Sequence, residues 1–164
     1  MTHACAGAHG TVGDRDGILQ QAAAWGRERT SEVLLADASV VFGREHLESA
    51  ASHAERARAS ETMATRSLSM EALLYLSGER QVTDAVRLAG IKDGTRVIAV
   101  LVFGNAPVED LLSRLGWARD DAVLDARDKD LGVLGITAAE RDTVPEERVV
   151  DLALERTALV DLEK

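Results

Sequence analysis

A single cysteine, Cys5, excludes an internal disulfide and any cysteine-based zinc cage. Aromatic side chains are only 3% of the 164 residues, so Ala, Val and Leu must fill the core that a hydrophobic content of 46% calls for. Apolar runs stay well short of the roughly 20 residues that span a bilayer. The opening Met-Thr-His-Ala-Cys-Ala-Gly-Ala-His-Gly lacks a basic segment followed by an apolar one, so no secretory signal is expected. Together these absences predict a single cytoplasmic domain without a membrane anchor.

Lysine is scarce, at Lys92, Lys129 and Lys164, and nearly all positive charge is arginine. Net charge is −9. Taken alone, that balance opposes loose binding to nucleic acid, because phosphates seek basic surfaces. Abundant Asp, Glu and Ala beside scarce Lys also resembles adaptation to a salt-rich, halophilic cytoplasm. At about 1 M salt the screening length falls to about 3 Å, so distant acidic groups would repel RNA only weakly.

The most informative stretch is 66–90. From Leu68 to Leu76 only Ser69 and Glu71 interrupt an apolar run, the pattern of a helix buried on several sides. Ser77-Gly78 stops it, and Gly78 suits the left-handed residue that closes a helix. Val82, Ala85, Val86 and Ala89 then predict a second helix, ended by Gly90. The polar elbow Ser77-Gly-Glu-Arg-Gln81 lies between the two.

Elsewhere, residues 1–9 are expected to be a frayed tail, with Cys5 incidental, and Gly10-Thr11-Val12 a short strand. A helix with Ile18, Leu19, Ala22, Ala23 and Trp25 inward follows. Glu32 to Ala36 reads as a strand, Asp37-Ala38-Ser39 as a turn and Val40-Val41-Phe42 as a further strand. A long helix over 44–59 turns Leu47, Ala50, Ala51 and Ala54 inward. Arg96 leads into Val97 to Phe103, a continuously apolar run rich in β-branched residues, which predicts a central strand covered on both faces. Pro107 opens a helix closed by Gly116, and Val123-Leu124 is read as a sheet edge. Thr137 to Glu140 has capping-box spacing. Pro145 opens the last helix, with Val150, Ala153, Leu154 and Ala158 as its stripe.

Catalytic patterns are missing. Gly10-Thr-Val-Gly13 and Gly132-Val-Leu-Gly135 match neither the dinucleotide fingerprint nor the P-loop. His46 and His53, seven apart on a helix, are read as two surface histidines rather than metal ligands. Serines lack the nucleophile elbow, and the acidic pairs are too numerous to single out catalytic carboxylates. No enzyme, metal or cofactor is expected. Arg80 and Gln81 can offer a guanidinium and an amide to phosphates or base edges. Local sequence alone favours a plainer reading, in which Gly78 caps a helix and Glu79-Arg80 form a solvated pair.

Ser67-Leu-Ser-Met-Glu71, Leu73-Leu74-Tyr75 and Ser77-Gly-Glu-Arg-Gln-Val82 resemble the small PRPK-binding subunit of the KEOPS complex, in its archaeal form. Phe42-Gly-Arg-Glu-His-Leu-Glu48, Gly90-Ile-Lys-Asp-Gly94, Gly135-Ile136-Thr137 and the ending Ala158-Leu-Val-Asp-Leu-Glu-Lys164 agree with it in order. The resemblance implies an α/β (α+β) fold, helices packed around a small, largely antiparallel sheet. It implies a non-catalytic subunit that binds the complex's atypical kinase/ATPase and the 3′ CCA end of tRNA, in support of N6-threonylcarbamoyladenosine modification. Carried onto this chain, it makes Arg80 and Gln81, with Arg66 and Lys92 beside them, the tRNA-binding candidates. Leu159, Val160 and Leu162 become the kinase-binding ones. One departure is charge, since 60–65 contains no basic residue. A protein adaptor without RNA contact and a small metabolite enzyme are the rival readings.

Overall fold

A four-stranded antiparallel sheet in the order β2-β3-β1-β4 carries the fold. The computed structural model describes residues 2–163. Met1, of the expected tail, and Lys164, which ends the family-like segment, lie outside the described residues. The strands are β1 (His3–His9), β2 (Glu32–Asp37), β3 (Val97–Phe103) and β4 (Ala118–Arg119). The helices are α1 (Arg15–Glu28), α2 (Arg44–Ala59), α3 (Leu68–Ser77), α4 (Val82–Ala89), α5 (Val108–Leu115), α6 (Ala138–Arg141) and α7 (Val149–Glu163). The expected α+β class is what the structure has.

As its β-branched run predicts, β3 is central, paired with β1 from His3↔Phe103 to His9↔Val97 and with β2 from Glu32↔Phe103 to Asp37↔Ile98. Its two faces feed two cores. Ile98, Val100 and Val102 join Ala6, Ala8, Leu35, Trp25, Leu111 and Leu112 beneath α1 and α5. Ala99, Leu101 and Phe103 join Cys5, Leu34 and Ala36 against α2 and α3. Aromatic scarcity is met by small residues: Ala50, Ala51, Ala54 and Ala57 line the inner side of α2 and bring α3 close.

The expected frayed tail over 1–9 is corrected for the described residues, because His3–His9 is an inner strand. Alanine and glycine have little strand propensity of their own, and here burial between β3 and β4 overrides it. Gly7 is needed at this point: a Cβ there would lie 2.4 Å from the Asp120 carbonyl. Its N–H donates to Asp121 Oδ1 at 3.0 Å. Cys5 is consequently a core residue, and burial pushes its thiol up to about 12.

Val40-Val41-Phe42 is not a strand. Asp37 Oδ1 accepts from Ser39 N (2.9 Å) and Ser39 Oγ (2.7 Å), turning the chain into a 3₁₀ turn at Ala38–Val40. The expected edge at Val123-Leu124 is likewise a 3₁₀ turn, and the edges of the sheet are β2 and β4. The capping box at Thr137 forms with Glu140 as its spacing predicts. Helix α7 buries Val149, Leu152, Ala153, Thr157 and Val160, so of the expected stripe only Ala153 is buried, while Val150 and Leu154 are half-buried and Ala158 is exposed. Apolar residues surround α7 on most sides, so periodicity alone did not select the face.

Candidate functional site

Ser67 opens α3 by accepting from Met70 N, and Gly78 closes it at φ 72° with its N–H on Leu74 O at 2.9 Å. The buried Ser77 hydroxyl donates to Leu74 O and accepts from Glu79 N, both at 3.2 Å, which fixes the elbow from inside. Arg80 and Gln81 emerge exposed from this pinned turn. Gln81 occupies the N-cap of α4 but makes no side-chain capping bond, so the first amides of that helix lack a side-chain acceptor from their cap, and Asp84 stands in the same turn.

The plainer reading of a Glu79–Arg80 ion pair does not hold among the described residues. Arg80 makes no ion pair or side-chain hydrogen bond there, and neither does Arg66. Most other arginines are engaged, as in Arg44–Glu48 and Arg156–Glu140. Arg27, Arg56, Arg96 and Arg127 are uncommitted in the same sense among the described residues, so what sets Arg80 apart is its place on the elbow beside Gln81, where a guanidinium can meet an anion.

The structure does not bring all four tRNA candidates together. Met70 and Leu73, from the first half of α3, share an apolar groove with Val86 and Gly90, from the end of α4, so the two helices run antiparallel. Lys92 therefore lies beyond one end of α4 and Arg80-Gln81 at the other, with about 12 Å of helix between them. Arg66, ahead of α3, belongs to the Lys92 end. Lys92 donates to Gly90 O at 3.1 Å and stands with Arg15 among Asp14, Asp16 and Asp93, where the carboxylates outnumber the two cations and weaken it as a phosphate contact.

The groove itself was missed from sequence. It holds about 150 Å³, floored by Val33 and Leu35 of edge strand β2, with Leu19 at its lip. The segment after Trp117 is held by Lys129, whose ammonium donates to Val41 O (2.6 Å) and Val123 O (2.7 Å). Burial lowers that group to about 8. Beside it a charged cleft of about 640 Å³ is lined by residues including Asp125, Arg127, Arg141 and Glu146.

The three kinase-binding candidates separate by burial. Val160 is 1% exposed and belongs to the core with α2 and α3, so its side chain docks α7 onto this chain. Leu159 is half-buried, and Leu162 is 80% exposed. Neither His46 nor His53 is a free surface histidine. His46 is fully buried, accepting from Phe42 N at 3.1 Å through Nδ1 and reaching Leu76 O at 3.1 Å through Nε2. His53 contacts Asp161 at 2.7 Å. Among the described residues no metal-binding cluster of three or more candidate ligands occurs, and no helix is long and apolar enough to cross a membrane.

The family model described as kinase binding protein CGI-121 matches residues 12–127. No curated protein matches the chain. The matched region contains β2, β3, β4, α1 to α5 and the elbow at Gly78, which is most of the sheet and both helix layers that cover it. This protein belongs to the CGI-121 family of kinase binding proteins.

Proposed function

We propose that the chain is a non-catalytic subunit of a cytoplasmic KEOPS-type assembly. In this reading it binds the atypical kinase/ATPase of that complex and holds the 3′ CCA end of tRNA for N6-threonylcarbamoyladenosine modification. Family membership supports the kinase partner. The observation that carries the RNA contact is the exposed, uncommitted Arg80 beside Gln81 on a rigid elbow, next to helix amides without a side-chain cap. Arg66 is the secondary candidate. The exposed Leu162, with Leu159 one turn before it, supplies the apolar surface for the kinase.

Affinity for tRNA with and without its CCA tail, measured in high salt, tests the RNA assignment. Arg80→Ala is expected to weaken binding of intact tRNA roughly tenfold and to leave kinase binding unchanged. Equal affinity for the two RNAs, or none, would instead support the protein adaptor that the net charge of −9 suits. Leu162→Arg is expected to weaken kinase association by about tenfold or more, the worth of one buried leucine, with the far-ultraviolet spectrum intact. Association at native strength would refute α7 as the docking element.

A further inference from the structure

The end of α7 carries charge of the unfavourable sign. Asp161 lies near the negative pole of the helix, and the last turn has no basic residue. Two other helices compensate. The Tyr75 hydroxyl, on α3, donates to Asp161 Oδ1, while His53 Nδ1, on α2, lies 2.7 Å from Asp161 Oδ2. The two rings stack at 5.0 Å between centroids and 31° between planes, so each limits the other's rotation. Arg56 and Glu71 also act electrostatically on the Tyr75 hydroxyl. The Tyr75 residue is buried, the His53 side chain 14% exposed and the Asp161 side chain 46% exposed.

We propose that Tyr75 and His53 are positioning residues for partner docking, clasping Asp161 so that the last turn of α7 presents Leu159 and Leu162 as one apolar face. The proposal rests on the reading that this end of α7 docks on the kinase. Leu159 and Leu162 are three residues apart, so they share a face only while that turn stays helical. A released Asp161 frays the turn, and apparent affinity falls in proportion to the fraction of molecules that keep it. Tyr75 has no exposed surface of its own to offer a partner. Its influence on binding therefore passes through Asp161.

The test is a double-mutant cycle on kinase affinity, using the full chain and the kinase subunit. Tyr75→Phe and Asp161→Ala are each expected to weaken binding roughly three- to tenfold, and the double variant no more than Asp161→Ala alone. Amide exchange at 160–163 should quicken most in Tyr75→Phe, which leaves the Asp161 charge unclasped at the negative pole of α7, and Asp161→Asn, which keeps an acceptor for Tyr75, should recover part of the affinity. Native affinity for Tyr75→Phe beside a weak Asp161→Ala would overturn the clasp and make Asp161 a direct contact. Additive effects in the cycle would overturn it as well. Leu162→Arg is measured in parallel: native binding by that variant overturns the docking surface and the clasp together, whereas failure of Tyr75→Phe alone overturns only the clasp.

Discussion

Glu71→Ala is expected to lower the unfolding free energy by about 3–5 kcal/mol and to loosen the segment between α2 and α3. Glu71 is fully buried in the first turn of α3. Its carboxylate accepts from Ala64 N at 3.2 Å, Thr65 N at 2.9 Å and Thr65 Oγ1 at 2.9 Å. These bonds tie the connection preceding Arg66 to the most buried helix of the protein. Alanine would remove the acceptors and leave part-buried donors without partners, each costing about 1–3 kcal/mol. Glu71→Gln keeps the shape with one carbonyl oxygen, so its loss should be smaller. Urea unfolding gives the free energies, and amide exchange at 64 and 65 shows whether the segment is released. A loss below about 1 kcal/mol for the alanine variant would mean that the connection is held by other contacts.

That residue also shows what the sequence made legible. Glu71 was visible as one of two polar interruptions in an apolar run, and such an interruption inside a buried helix must be satisfied by something. Its partners were not visible, because backbone donors leave no signature in sequence. The same division applies more widely. Helices α2, α3 and α4 and strand β3 were readable since their periodicity or β-branching agrees with the packing they meet. Strand β1 was not, because His-Ala-Cys-Ala-Gly-Ala-His has weak propensity and owes its conformation to β3, 90 or so residues later. The Asp37 turn diverted Val40 to Phe42 out of the sheet despite their β-branched character.

Site residues followed a similar rule. The elbow at Gly78 was legible because a local backbone requirement selects glycine after an apolar run. Arg80 and Gln81 come with it. The grouping of Lys92 and Arg66 with them was not, since it depended on how α3 and α4 pack. The clasp on Asp161 joins residues 53, 75 and 161, each from a different helix, and no spacing along one helix could have suggested it.

Acidification tests the other buried polar link between those helices. His46 joins the start of α2 to the end of α3 as a neutral imidazole, with Nδ1 accepting from Phe42 N and the proton held on Nε2 toward Leu76 O. Burial lowers its pKa from 6.5 to about 4, outweighing the bond to Leu76, and Lys129 lowers it further. Between those values the unfolded chain binds a proton that the native state refuses. The contribution is therefore complete above pH 6.5 and is lost progressively as pH falls toward 4, by about 3 kcal/mol in total. His46→Gln has no titrating group at this site and can still donate to Leu76 O. It should be less stable near neutrality by about 1–3 kcal/mol, because Phe42 N loses its acceptor. Its stability should then fall less steeply than that of the native protein between pH 6.5 and 4. Denaturant titrations at half-unit pH steps measure both slopes, and equal slopes would show that His46 does not bind its proton differently on unfolding.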